Sequence, residues 1–385
     1  MTGIEQEYIA TRPKSRALYE RARAVFPSGV THDGRYMKPF PFYVDRAEGA
    51  RKWDVDGHEL IDLWSGHGAL LLGHNPPEVV AAAKAQMEKG QHYSACHELE
   101  LEMGELLQQM IPCAEAVRFY LSGTEAAMFA VRIARAYTGK EKIIKFRGHF
   151  HGYFDEGVMG VRPPFDAPMS TGVPRTALAN VLLARHNRAD DVATLIRASG
   201  GNVAAVIVDP ICHGFTLYNR RGFLEELRRI CTDEGVVLIF DEVVSGFRPG
   251  PGGAQAFFGV TPDLAIIAKA MGGGLPASAV VGKREIMDVM AYRDDPQWDR
   301  FGRLISQGTH NGNPVVMAAG LATLKALSTG EPQRYANRLG DELRQRLREV
   351  LERYGVPGAV YGDWSIVRIL VGEEPPHPDL GREDG

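Results

Sequence analysis

NVAAVIVDPICHGFTLYNRRGFLEELRRICTDEGVVLIFDE, residues Asn202–Glu242, sets two apolar runs on either side of one amphipathic stretch. The runs around Ala204–Val208 and Val236–Phe240 are short and rich in β-branched residues, which reads as strands buried on both faces. GFLEELRRICTDEG, between them, reads as a helix. Strand, helix and strand make a βαβ unit with a right-handed crossover.

The same alternation continues in both directions. Upstream, AVRFYLSG (116–123) and EKIIKFRG (141–148) read as strands around the helix TEAAMFAVRIARAYTG (124–139). Downstream, DLAIIAK (263–269) and ASAVVGK (277–283) add two more strands. Alternation over about 200 residues predicts an α/β domain with a mainly parallel sheet covered by helices on both faces. Before it, SRALYERARAVF (Ser15–Phe26) predicts a helix that stops at Pro27-Ser28-Gly29. ARKWDVDGHELIDLW (50–64) predicts a hairpin around Asp56-Gly57. PPEVVAAAKAQMEKG (76–90) is helical. Late helices at 313–327 and 336–355 lead to a last strand, WSIVRILVG (364–372), and a polar Pro/Gly-rich tail.

Bulk properties bound the function. The chain has 385 residues, 44% hydrophobic and 24% charged, within the range of soluble globular proteins. The net charge of −4, with both signs interspersed, argues against nucleic-acid or membrane partners. The first twenty residues carry no apolar signal core, so a cytoplasmic location is expected. Cys96, Cys113, Cys212 and Cys231 are scattered without paired spacing, so neither a disulfide framework nor a zinc site is indicated.

In an open α/β sheet, ligands bind outside the carboxyl ends of the strands. Here those ends carry Ser122-Gly123-Thr124, Asp209, Asp241-Glu242 and Lys269, which should converge on one crevice. Ser122 and Glu125 fit a capping box, while Gly123 and Thr124 offer small residues and free amides suited to a phosphate. Asp241 either caps the next turn or holds a ring nitrogen protonated. His149 and His151 form an H-x-H pair with no evident third ligand, so no metal is expected. Lys269 follows an apolar run and precedes Gly272-Gly273-Gly274. A buried ammonium is costly, whereas a lysine condensed with an aldehyde escapes much of that cost and becomes reactive. The glycines would then let the backbone approach a bulky cofactor. A lysine snorkelling from a strand end is the plainer alternative.

As an ensemble these features resemble the fold-type I pyridoxal-phosphate enzymes. WDVDGHELIDL, LGHNPPEV, SGTEAAMFAVRIARAYTG, KFRGHFHGY, LIFDEVVSGFR, GVTPDLAIIAKAMGGGLP and GTHNGNP, in that order, resemble the class III aminotransferases from about Pro27 to Leu370. The similarity is greatest to the branch that contains glutamate-1-semialdehyde aminomutase. The resemblance implies a seven-stranded large domain at 58–325, with 1–57 and 326–385 forming a small α+β domain shorter than usual. It implies pyridoxal 5′-phosphate, with Lys269 as the Schiff-base lysine and Asp241 as the partner of the pyridine nitrogen. Ser122, Gly123 and Thr124 would hold the phosphate, with Phe150 and Val243 on the two ring faces. Thr309 would reach the phosphate of a neighbouring subunit, implying a homodimer with shared sites. Arg35 would receive a substrate carboxylate.

Two positions depart from the aminomutase pattern on the substrate side: His67 replaces a tryptophan and Arg147 replaces a glutamate. They set the expected activity as an aminotransferase that moves an amino group from a carboxylate-bearing amine, such as a β- or ω-amino acid, to a keto acid. An intramolecular aminomutase is the first alternative, and a catalytically silent pyridoxal-phosphate-binding homologue the second.

Overall fold

The computed structural model describes residues 3–212, 219 and 222–372. A three-stranded antiparallel sheet comes first: β1 (Val44–Glu48), β2 (Arg51–Asp54) and β3 (Glu59–Ile61). The turn between β2 and β3 contains Asp56-Gly57, with Gly57 at φ +97°. Asp56 does more than turn the chain. Its carboxylate accepts from the Lys14 and Ser15 amides at 2.7 and 2.9 Å and from the Ser15 hydroxyl at 2.6 Å. It thus occupies the amino end of the helix Pro13–Arg23, where a negative charge is favoured. That helix starts and ends earlier than its apolar pattern suggested, and a further helix, Gly3–Thr11, precedes it.

The seven strands of the main sheet are β4 (Ala116–Tyr120), β5 (Lys142–Phe146), β6 (Val181–Ala184), β7 (Val203–Val208), β8 (Val237–Glu242), β9 (Leu264–Ile267) and β10 (Ser278–Gly282). Their order is β4-β10-β9-β8-β7-β5-β6. Only β10 runs against its neighbours, so the sheet is mainly parallel, as expected. Every residue of β7 and β8 is buried. Alternate side chains feed two cores, Val206 and Leu238 on one face, Ile207 and Ile239 on the other. The crossover helix Phe223–Asp233 closes one face with Phe223, Leu224, Leu227 and Ile230. The helix Gly123–Thr138 closes the other with Ala126, Ala130 and Ile133.

After the helices Pro314–Ser328 and Glu331–Tyr354 come β11 (Gly358–Tyr361) and β12 (Arg368–Val371), an antiparallel pair. β12 is the expected last strand, whereas β11 had no counterpart in the sequence reading. The polar tail from 373 lies outside the described residues. No helix among the described residues is long and apolar enough to cross a membrane.

Candidate active site

The carboxyl ends of β4, β8 and β9 open on one cavity of about 400 Å³, lined among others by Ser122, Gly123, Thr124, Asp241 and Lys269. Convergence of these strand ends is what parallel order dictates.

Lys269 is the residue after Ala268 at the end of β9, and its backbone sits at φ +49°. For a side-chain-bearing residue the left-handed region costs about 1–2 kcal/mol, and such strain concentrates at functional positions. Burial lowers its ammonium pKa, against the opposing pull of Asp241 and Asp209. The glycines that follow correct one expectation. A Cβ on Gly272 would meet Ala277 at 3.0 Å, and one on Gly273 would lie 2.4 Å from Thr323 Oγ1. Both therefore serve close packing of protein on protein, and of the three only Gly274 lines the cavity.

Asp241 projects from the end of β8 and is buried. Its Oδ1 accepts from the Val243 amide at 3.1 Å, the turn-capping bond considered above. Its Oδ2 pairs with His151 Nδ1 at 2.7 Å. Burial lowers the His151 pKa, although the Asp241 hydrogen bond pulls it the other way. A neutral ring then donates its Nδ1 proton to Asp241 Oδ2. Sequence reasoning missed His151 as a site residue. The available signal was its place beside Phe150, in a segment that the topology returns to the end of β8.

At the end of β4, Ser122 Oγ accepts from the Glu125 amide at 3.1 Å. The reciprocal bond of the expected capping box goes elsewhere: Glu125 Oε2 accepts from Leu121, not Ser122. The amides of Gly123 and Thr124 lie in the first turn of the helix, where no preceding helical carbonyl can accept them. Gly152, at φ +104°, leaves no room for a Cβ, which would lie 2.6 Å from Thr124 Oγ1. This cradle, a carboxylate, an amine and the apolar Phe150 and Val243 suit a phosphorylated aromatic aldehyde. The residues present fit pyridoxal phosphate.

Other expected residues fall elsewhere. Arg147 is exposed and lies outside the lining of this cavity. It follows β5, and β7 separates β5 from the strands that form the pocket. Arg35 is also outside the lining, with Nη1 donating to Thr31 Oγ1 at 2.9 Å. His67 lies between: its pKa is lowered by burial first, then by His32, Arg35 and Lys269. Its ring is 4.9 Å from that of His32. Thr309 is exposed in a separate loop, its carbonyl accepting from His92 Nε2 at 2.5 Å.

His149, His186 and Cys212 bring ligand-type atoms within 4.8 Å of one another. The hydrogen bonds assign them otherwise. The Asp209 amide donates to His149 Nδ1 at 3.1 Å, so the proton sits on Nε2, which faces His186 Nδ1 at 3.1 Å. Both His149 nitrogens are occupied, and no lone pair is left for a metal. The cluster instead braces the end of β7. Lys145 is a second buried group that sequence reasoning passed over. Its Nζ donates to the Gly157 and Met159 carbonyls at 2.6 and 2.7 Å, pinning the loop that follows His151.

Comparison with known proteins agrees with this arrangement. The family model for aminotransferase class-III matches residues 33–374. Curated relatives about 40% identical carry the name glutamate-1-semialdehyde 2,1-aminomutase. That of Hyperthermus butylicus is 40% identical over 361 residues, covering 92% of this chain and 83% of the relative. Among solved structures, an omega-transaminase from Sphaerobacter thermophilus superposes with a TM-score of 0.86 at 37% identity, over 94% of this chain and 83% of that one. A transaminase with PLP bound gives 0.86 at 34%, over 94% and 85%. The repeated aminomutase name among curated relatives overturns the expectation of transfer from an amine to a separate keto acid. One of the two departures behind that expectation, Arg147, does not reach the pocket. With a fold, a cofactor cradle and a sequence match in agreement, the chain belongs to the aminotransferase class-III family and is a pyridoxal-phosphate enzyme.

Proposed function

We propose that the protein is an aminomutase that exchanges the amino and oxo groups of glutamate-1-semialdehyde, yielding 5-amino-4-oxopentanoate. The observation that carries this reading is similarity of about 40% over nine-tenths of the chain to curated aminomutases. The chemistry of the cavity agrees with it. Bound pyridoxal phosphate supplies an aldehyde that a lysine amine can join and a protonated ring that withdraws electrons from the substrate. Lys269 holds the cofactor and, once displaced, its Nζ takes and returns the proton at the reacting carbons. Its depressed pKa favours the neutral amine that accepts a proton. Asp241 keeps the ring nitrogen protonated, and His151 keeps Asp241 charged and aimed. Ser122, Gly123 and Thr124 hold the phosphate, while Phe150 and Val243 confine the ring. Arg35 and His67 take the substrate's carboxylate end.

The same reading includes a cytoplasmic homodimer in which Thr309 serves the partner's phosphate. It also includes a small domain built from residues 1–57 and the segment from 326 onward, against a large domain at 58–325. Support for the shared site is the exposure of Thr309 on a loop away from its own chain's Lys269.

Turnover with one substrate tests the function. Purified holoprotein given glutamate-1-semialdehyde and no keto acid should form many equivalents of 5-amino-4-oxopentanoate. A strict requirement for an added keto acid would contradict an internal exchange.

A further inference from the structure

Arg248 lies six residues beyond Glu242, in the turn-rich segment after β8, and much of it is buried. Its Nη2 donates to the Gly68 carbonyl at 2.8 Å and its Nη1 to Ser365 Oγ at 2.7 Å. Asn337 Nδ2 donates to its backbone carbonyl at 3.2 Å. Its Nε is buried and has no acceptor. Among the described residues it forms no ion pair. A buried guanidinium is ordinarily matched by a carboxylate, because desolvating a charge costs several kcal/mol. Here every acceptor is neutral. Burial, the one cause acting on its pKa, lowers it, and the charge is felt at Lys269. The residue after Gly68, Ala69, lines the Lys269 cavity.

We propose that Arg248 is a specificity-determining residue: a guanidinium with no carboxylate partner among the described residues, held behind the pocket wall by Gly68 and Ser365, whose charge favours a substrate that carries a carboxylate. It acts through the wall and touches no reacting atom. Gly68 and Ser365 fix the fork without neutralising it, so the positive field reaches the cavity. This inference rests on the proposed function only in taking the substrate to be anionic. At an effective dielectric near 20, a unit charge about 8 Å from an anion would alter its affinity by roughly 10- to 100-fold.

The test compares holoprotein binding of 5-amino-4-oxopentanoate and its uncharged methyl ester, read from cofactor absorbance. Arg248→Met should weaken the acid by roughly 10- to 100-fold and the ester by less than about threefold. Arg248→Lys, which keeps the charge, should retain most of the preference, and Ser365→Ala should weaken both probes equally and slightly. Equal losses of acid and ester in Arg248→Met would reduce Arg248 to a structural tie and overturn the proposal. If that variant does not fold, loss of the acid preference in folded Arg248→Lys would overturn it as well. A wild-type protein indifferent to acid and ester would instead refute the substrate reading. Propionate then decides on Arg248: binding that disappears in Arg248→Met supports the proposal, and binding that persists overturns it.

Discussion

At the scale of single residues, Asp241 and His151 make the strongest case, because one short hydrogen bond joins a strand-end carboxylate to a buried ring. Were Asp241 only a turn cap, its bond to the Val243 amide would suffice, and His151 would have no reason to face Oδ2. Asp241→Asn should therefore retain cofactor and fold while losing nearly all turnover, since an amide cannot hold a pyridinium proton electrostatically. His151→Phe keeps an aromatic ring but removes the donor to Oδ2. Loss of one hydrogen bond to a charged group, about 1.5–3 kcal/mol, predicts roughly a 10- to 100-fold lower kcat with little change in KM. The cofactor's absorbance should titrate at shifted pH in the same variant. A purely packing role for His151 would leave that titration where it is. Asp241 was legible as the first charged residue after an apolar run, and Lys269 as a lone charge ending another. His151 was not, since nothing local says which strand end a histidine two residues away from another will meet.

Among elements, the end of β8 carries a second lesson in Glu242. This carboxyl is fully buried and pushed up to about 7 by burial, while Gln255 and the Ala254 and Gln255 amides partly hold it down. Its Oε1 accepts from Gln255 Nε2 at 2.8 Å, and Oε2 from the Ala254 amide at 2.6 Å. These bonds clamp β8 to the helix Gly253–Phe258. The sign follows from the raised pKa: the folded state favours the protonated acid, so this stabilisation is complete below the unfolded value of 4.5 and is lost as pH rises through about 7. A shift of that size corresponds to roughly 3 kcal/mol. Glu242→Gln should flatten the stability profile between those pH values, measured by denaturant unfolding at each pH. An unchanged slope would mean that the carboxyl is already ionised in the fold. Element identity was well marked in the sequence, because β7 and β9 are unbroken apolar runs and β8 is apolar up to Asp241. The reversal of β10 was also within reach: only ten residues, Ala268–Ala277, separate it from β9, too few for a helical crossover. The lateral order of the strands was not, because hydrophobic runs record burial and carry no neighbour list.

For the whole molecule, sheet, cradle and family agree, and the correction came at the substrate. Two substitutions looked decisive in one dimension. In three dimensions Arg147 is exposed at the end of β5, one strand removed from β8, and of the two only His67 is within electrostatic reach of Lys269. Sequence reasoning located the chemistry because strand ends are local features. It misjudged the substrate because pocket walls are assembled from segments far apart in the chain, such as those of Ala69, Phe150, Val243 and Gly274. Covalent trapping tests directly whether the cavity at Lys269 is the cofactor's seat. Borohydride reduction of the holoprotein, followed by digestion and mass spectrometry, should place the reduced cofactor's mass on the peptide containing Lys269, and Lys269→Ala should lose the label. Label on any other lysine, or unchanged labelling in Lys269→Ala, would place the cofactor elsewhere in the protein.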